Sequence, residues 1–330
     1  MTSLALKLTT ACRYAWLGAG LLLAHAAAPA ADAYPSRPIR IVVGYSAGGA
    51  VDLIARTVGQ QLSAQLGQPV IVDNKPGAGT NIAVRSVVAS PADGYTLMLT
   101  ANALAVNPSL FKPAPFDPER DVTPVAMVGR VPVVFATREG GELKSLAQMV
   151  STAKARPNAL SLATPGNGST PHLAMELFAH TAGIQLRHVP YKGGSQALTD
   201  TIGGHTDLVA TNALEVAPLA RSGKLRVLAV MSPERTPVLP DAPTVAESGY
   251  PGFQASVWYG FIAPAGLPQP IVAKLHGAVQ KAIASSEVRE QLAAAGGVPL
   301  PGSTEQFRTL IQGEAARYGK LIREAGIQPD

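Results

Sequence analysis

At 330 residues, the chain has the length of two domains. Its composition, with 47% hydrophobic and 15% charged residues, allows a sizeable buried core and excludes long disordered segments. Aromatic residues make up only 5%, which disfavours base-stacking surfaces and aromatic-lined sugar grooves. The formal net charge of +5 is too small and too scattered to indicate nucleic-acid binding, although a weak positive field suits an anionic solute.

The N-terminus has the pattern of a secretory signal peptide. Lys7 and Arg13 precede an apolar run over residues 15–28, and small residues follow where cleavage is expected, between about 30 and 33. A membrane anchor is disfavoured because the run is short for a membrane span. We therefore predict a signal peptide over residues 1–31 and export from the cytoplasm.

The only cysteine, Cys12, lies inside this removable segment. It precedes the apolar run, whereas a lipid-modified cysteine would follow it, so the pattern does not indicate a lipoprotein. The mature chain is expected to have neither a disulfide nor thiolate chemistry. Removal of Lys7 and Arg13 leaves 25 basic against 22 acidic residues, a net charge of +3.

A strand, a glycine loop and a helix open the mature chain. The apolar run at 39–43 predicts the strand, residues 44–49 form the loop, and apolar residues from Val51 to Leu66 recur at helical spacing. Gly67 stands where a helix C-cap is expected. This arrangement directs unpaired backbone N–H groups and the positive end of a helix dipole at an anion.

The alternation of strands and helices continues and predicts a mainly parallel, doubly wound α/β sheet. A strand at 69–73, a second glycine loop at 74–81, a helix through 82–88 and a strand at 95–100 follow in order. Ligands bind at the carboxyl ends of such strands. The expected ligand-facing segments are 44–49, 76–81 and 101–103.

The second half of the chain repeats the order of parts without repeating the sequence. We predict a surface excursion, then a long strand leading into a second region, two more glycine loops that open helices, a small parallel sheet and a strand that returns. Two crossings between discontinuous lobes predict a hinge with a ligand cleft. The predicted segments are the excursion 113–124, the strands 125–137, 160–163, 187–191, 207–211, 226–231 and 253–263, the loops 164–171 and 192–195, and the helices 143–155, 170–183 (capped by Thr170), 197–203, 270–284 and 304–325.

Gly44-Tyr45-Ser46-Ala47-Gly48 fits the G-x-S-x-G nucleophile elbow of serine hydrolases. That elbow normally follows several strands and an oxyanion loop, whereas only about ten mature residues precede it here. The histidines His172, His188, His205 and His276 lie in no recognisable triad context. A secreted hydrolase using Ser46 is therefore kept only as an alternative.

Nucleotide and metal sites are not indicated. The glycine pairs at 77–79 and 166–168 do not extend to a dinucleotide fingerprint, and His172, His180 and His188 are spaced too widely for adjacent helical turns. We expect no cofactor and no metal. His172 could face the cleft or serve packing and capping, and Asp52 could face a ligand or only complement a helix dipole.

These motifs resemble the Bug-type periplasmic solute receptors, the extracytoplasmic components of tripartite tricarboxylate transporters. The resemblance runs from residue 34 almost to the C-terminus. It rests on these segments in order: Gly48-Gly49 with Asp52, residues 74–79, Asp93-Gly94-Tyr95-Thr96-Leu97, residues 166–169 with His172, residues 189–193, residues 239–245 and Ala263-Pro264-Ala265-Gly266.

The resemblance implies a type II periplasmic-binding-protein fold that closes like a Venus flytrap on a small organic carboxylate. One lobe would span 34–131 and 256–330, and the other 132–255. The chain would be a monomer without enzymatic activity that serves the permease subunits of a tripartite tricarboxylate transporter, or alternatively a signalling sensor. The implied ligand contacts are Tyr45, Ala47, Gly48, Gly49, Asp52, Ala101 and Asn102 in the first lobe and Thr164, Asn167, Gly168, Ser169, His172, Tyr191 and Asn212 in the second.

Three positions depart from the family pattern. Members often have proline at the position of Ala47, threonine at that of Val51 and aspartate at that of Thr211. Val51 offers no hydroxyl and Thr211 no carboxylate, so two polar anchors are missing. We therefore expect a less polar or monocarboxylic ligand.

Overall fold

A computed structural model describes residues 34–294 and 296–329. The chain divides into residues 1–36 and residues 37–330, and every element below lies in the second unit. The predicted signal peptide and Cys12 fall outside the described residues. Within the described ranges, no helix combines the length and the apolar character that a membrane crossing requires.

Ten strands and ten α-helices build the described part of residues 37–330, which confirms the predicted α/β class. The strands are β1 (Ile39–Val43), β2 (Val70–Asn74), β3 (Thr96–Thr100), β4 (Val122–Arg138), β5 (Ser161–Thr164), β6 (Arg187–Pro190), β7 (Leu208–Asn212), β8 (Leu225–Val230), β9 (Ser256–Pro264) and β10 (Val298–Pro299). The helices are α1 (Ala50–Leu66), α2 (Asn81–Val88), α3 (Ala103–Leu110), α4 (Leu146–Ala155), α5 (Thr170–Ala182), α6 (Gly194–Gly203), α7 (Ala213–Arg221), α8 (Gln269–Ala284), α9 (Ser286–Ala293) and α10 (Thr304–Ala325).

The strand β4 belongs to two half-sheets. Its first part, 122–132, pairs antiparallel with β9, and the order β2-β1-β3-β9-β4 forms the first half-sheet, with β10 on the far side of β4. Its second part, 133–138, lies between β7 and β8, and the order β8-β4-β7-β5-β6 forms the second half-sheet. One long strand therefore connects two separately wound regions.

The helix α1 forms where the sequence predicts it. Its apolar residues Ile54, Val58 and Leu62 are buried, and its polar residues other than Asp52 are exposed or half-buried. Gly67 ends the helix with φ 68°, a left-handed conformation that glycine adopts without steric cost.

Two local predictions need correction. The cap of α5 is Ser169, whose hydroxyl accepts the backbone N–H of His172, and Thr170 is the first helical residue. The strand β8 does not complete a parallel sheet, because β4 runs antiparallel between β7 and β8. The sheet is mixed because the long strands β4 and β9 both cross it antiparallel to their neighbours.

The sequence analysis missed the helices α3, α7 and α9. Pro108 lies inside α3 and Pro218 lies inside α7. Because proline disrupts helix interiors, the sequence of both segments disfavours a continuous helix. In helices this short, a proline removes only one hydrogen bond, and burial of the apolar residues stabilises the remaining turns.

The core of the first half-sheet is covered by α10. Phe307 of α10 is fully buried and meets Trp258 of β9 edge-on, with ring centroids 5.5 Å apart. The ring lies directly over Gly260, where a Cβ atom would come within 2.3 Å of it. This close approach holds the C-terminal helix against the strand that pairs with β4.

Candidate ligand-binding site

The turn between β1 and α1 is fixed by Asp52. Its carboxylate accepts the N–H of Gly48 at 2.9 Å, the guanidinium of Arg56 at 3.0 Å and the amide of Asn74 at 3.0 Å. Burial raises the pKa of Asp52, but these hydrogen bonds and the charge of Arg56 outweigh it, so the pKa lies below its usual value. Asp52 therefore stays ionised and shapes the glycine loop from behind.

The turn between β5 and α5 is fixed by His172. Its Nδ1 accepts the N–H of Gly168 at 3.2 Å, and its ring stacks on His188 with centroids 4.2 Å apart. Burial, and then the neighbouring His188, lower the pKa of His172 to about 3. The ring is neutral at ordinary pH, so its 3.8 Å approach to Glu176 is a polar contact rather than an ion pair.

The lowered pKa of His172 predicts a loss of stability in acid. Below its ordinary pKa of 6.5 the unfolded chain binds a proton that the native ring resists, so stability falls as pH drops from about 6.5 towards 3. Between pH 7 and pH 4.5 this amounts to roughly 2 to 3 kcal/mol, because pH 4.5 lies about two units below the ordinary pKa and each unit is worth about 1.4 kcal/mol.

The measurement is urea unfolding of His172→Gln, whose amide oxygen can still accept the Gly168 N–H, at both pH values. The variant should lose about 2 to 3 kcal/mol less than the wild type on acidification. His180→Gln, at an exposed position of the same helix, serves as the control. An equal acid dependence in all three proteins would contradict a buried neutral His172.

The two half-sheets meet at their glycine loops. Both the N–H and the hydroxyl of Ser46 donate to the carbonyl of Lys192, at 3.0 and 3.1 Å. A Cβ atom on Gly193 would lie 3.2 Å from the nitrogen of Ser46. The Ser46 hydroxyl thus participates in loop-to-loop contact, which does not favour a nucleophilic role.

A cavity of about 30 Å³ lies beneath these loops, room for about one water molecule. It is enclosed by the starts of α1, α5, α6 and α7 together with β9. The lining residues are Tyr45, Gly49, Ala50, Val51, Ala101, Pro165, Ser169, Thr170, Pro171, Gly194, Asn212, Glu215, Val257 and Tyr259.

Glu215 places a buried carboxyl group on the wall of this cavity. Its Oε1 accepts the N–H of Ala50, the first residue of α1, at 2.8 Å, and its Oε2 accepts from Thr211 and from Asn212. Burial raises its pKa, while these three hydrogen bonds oppose that effect. Gly194, which opens α6, lies so close that a Cβ there would fall 2.1 Å from Oε2.

Three helix N-termini therefore converge on one carboxylate that the chain itself supplies. Glu215 lies in the first turn of α7 and contacts the first residues of α1 and α6. Helix N-termini attract anions through their dipoles and free N–H groups. The starts of α1, α6 and α7 thus form a position that favours an anion, and the carboxyl group of Glu215 lies there.

Sequence reasoning missed Glu215, although a signal for it was present. Asn212 followed three residues later by Glu215 is the pattern of a helix start, and it would have revealed α7. Which side of α7 faces the cavity depends on the packing of α7 against β4 and β8, which the local sequence does not state.

Comparison with known proteins assigns the family. The model of the tripartite tricarboxylate transporter family receptor matches residues 54–327. The chain belongs to this receptor family. The Protein BugT of Bordetella pertussis is 39% identical to it over 94% of this chain and 97% of its own length.

Solved structures of the receptor family agree with this assignment. An R. palustris protein with adipate has a TM-score of 0.86 and 34% identity, covering 90% of this chain and all of that one. MatC of Rhodopseudomonas palustris with bound malate has a TM-score of 0.83 and 32% identity, covering 88% of this chain and all of that one. Members of the family are periplasmic solute-binding receptors with a two-lobe fold, which confirms the predicted fold class.

Part of the contact set implied by the receptor family lines the cavity. These residues are Tyr45, Gly49, Ala101, Ser169 and Asn212. The others do not line it: Ala47, Gly48, Asp52, Asn102, Thr164, Asn167, Gly168, His172 and Tyr191. Several of them form hydrogen bonds within the supporting framework.

That framework is held by hydrogen bonds within the protein. Asn102 donates to Glu314 at 2.8 Å and accepts the N–H of Trp258, while the hydroxyl of Tyr191 donates to Asp200 at 2.6 Å. These side chains position the receptor's loops, and their polar atoms are already used.

Several backbone amides of the two glycine loops are paired within the protein. The N–H of Gly48 donates to Asp52, that of Gly166 to Thr164, that of Gly168 to His172 and that of Ser169 to the carbonyl of Gly166. Tight turns satisfy their own donors when a suitable acceptor lies within the turn. These hydrogen bonds stiffen the receptor's loops.

Within the described residues, no group of His, Cys, Asp and Glu side chains is arranged to hold a metal ion.

Proposed function

We propose that this chain captures a small organic carboxylate between its two lobes and delivers it, unchanged, to the permease subunits of a tripartite tricarboxylate transporter. It acts as a monomer in the periplasm after export. The proposed lobes are 34–131 with 256–330, and 132–255, connected through β4 and β9. Relatives solved with adipate and with malate support this class of ligand.

One observation carries the proposal. Three buried polar atoms on the cavity wall, Thr170 Oγ1, Asn212 Oδ1 and Tyr259 Oη, find no hydrogen-bond partner among the described residues. Leaving such groups unsatisfied costs about 1 to 3 kcal/mol each. Their convergence on one cavity supports a ligand that hydrogen-bonds to both half-sheets at once.

The geometry also supports a closure mechanism. With about 30 Å³ of free space, the cavity admits an organic ligand only if the loops carrying Ser46 and Lys192 first separate. A ligand that bridges the lobes stabilises the closed form alone, so occupancy shifts the population towards a shape that a permease can recognise.

The test is a thermal-shift and calorimetry panel of small acids that includes adipate, malate and matched monocarboxylates. At least one acid should bind one-to-one and raise the melting temperature with the logarithm of its concentration. Mass spectrometry should recover that acid unchanged. Failure of every acid to bind, or chemical conversion of the bound acid, would contradict the proposal.

A matched pair of variants tests the cavity itself. Thr170→Val removes one unpartnered hydroxyl with little change of shape and should weaken the tightest acid of the panel about five-fold. Thr199→Val removes an exposed hydroxyl on α6 and should leave the affinity unchanged. Equal affinities in both variants would show that the acid binds elsewhere.

A further inference from the structure

Glu215 places a carboxyl group in the protein interior without a cationic partner among the described residues. The side chain is 9% exposed, and its three hydrogen-bond donors, on Ala50, Thr211 and Asn212, are all uncharged groups. No lysine, arginine or histidine within residues 34–294 and 296–329 forms an ion pair with it. Buried glutamates are rare unless a cation accompanies them.

The hydrogen-bonding capacity around Glu215 is also incomplete. A carboxylate offers about four acceptor positions, and three are used here. Beside it, Oδ1 of Asn212 is a second acceptor without a partner in the described part of the chain. Two adjacent acceptors on the cavity wall require a donor, and a cationic nitrogen supplies donors and counter-charge together.

We propose that Glu215 determines ligand specificity and that the receptor prefers carboxylates that also carry a cationic nitrogen over plain dicarboxylates. The inference rests on the proposed receptor function. The carboxylate of Glu215 holds the position at the start of α1 where one carboxylate of a dicarboxylate would otherwise bind. The amino end of the ligand faces Glu215 and Asn212.

The remaining polar atoms of the cavity suit the other end of such a ligand. The hydroxyls of Thr170 and Tyr259 are buried and can donate to a carboxylate. Burial, followed by the charges of Glu215 and Tyr45, raises the pKa of Tyr259, so its hydroxyl keeps its proton. A second carboxylate beside an ionised Glu215 would instead place two like charges together in a site of low dielectric constant.

The experiment compares ligands of equal chain length by calorimetry: 6-aminohexanoate with adipate, and 4-aminobutanoate with succinate. The wild type should bind at least one amino acid ten-fold or more tightly than its dicarboxylate partner. Glu215→Gln, which keeps the shape and removes the charge, should abolish or reverse that preference. Glu234→Gln, an exposed loss of the same charge, should leave it unchanged.

The outcomes separate the two proposals. If the wild type binds none of these acids, and none of the wider panel, the receptor function itself fails. If the dicarboxylates bind as tightly as the amino acids and Glu215→Gln leaves the ratio unchanged, only the role of Glu215 is overturned. If Glu215→Gln does not fold, the ratio of wild-type affinities for the amino acid and its matched dicarboxylate decides whether the proposal holds. Glu215→Asp, which keeps the carboxyl group, should retain the preference for the amino acid.

Discussion

Replacing Gly194 with alanine is expected to destabilise the folded protein by about 2 to 4 kcal/mol. The added Cβ would lie 2.1 Å from Oε2 and 2.4 Å from Oε1 of Glu215, well inside van der Waals contact. Glu215 cannot move aside freely, because hydrogen bonds from Ala50, Thr211 and Asn212 hold its carboxylate. A glycine-to-alanine change on a helix otherwise stabilises the protein by roughly 0.4 to 1 kcal/mol. The clash with Glu215 is therefore what makes the expected change in the free energy of unfolding destabilising. Guanidinium unfolding at neutral pH measures the effect.

Two further variants isolate the cause. Gly277→Ala, in the middle of α8 where a Cβ would contact nothing within 4 Å, should stabilise slightly. In a Glu215→Ala background the clash is removed, so Gly194→Ala should lose most of its cost. An unchanged cost in that background would show that Glu215 is not what requires glycine at 194.

Gly260→Ala should have the largest effect on stability, about 3 kcal/mol or more. Here the added Cβ would lie 2.3 Å from Cζ of Phe307 and 2.8 Å from two other ring carbons. The ring is fully buried between β9 and α10 and packs edge-on against Trp258, so it has no open space to enter. Denaturant unfolding measures the loss of stability, and a thermal scan should show a less cooperative unfolding transition.

The control for this variant lies on the same C-terminal helix. Gly313→Ala is at an exposed position of α10 with no atom within 4 Å of the new Cβ, and it should stabilise by about 0.5 to 1 kcal/mol. Combining Gly260→Ala with Phe307→Leu should cost less than the sum of the two single changes, since each relieves the other. Strict additivity would argue against a direct contact between position 260 and the ring.

The amino-acid sequence by itself determined the class of this protein. Apolar runs alternating with helical periodicity specify the α/β fold, and the cap at Gly67 is a local feature that neighbouring residues define. The ordered series of motifs from Gly48-Gly49 to Ala263-Pro264-Ala265-Gly266 indicated the receptor family, which the matched family model confirms. Such signals are readable because they depend on residues close together in the chain.

Only the tertiary structure decided how those motifs are used. The antiparallel insertion of β4 between β7 and β8 brings α7 against the starts of α1 and α6, and so places Glu215 beside Ala50, 165 positions away in the sequence. Burial and long-range contact set the role of a polar group, and neither is encoded in the residues next to it. The sequence therefore identifies a receptor, whereas the fold determines that a buried carboxylate of the chain itself lies at the anion position.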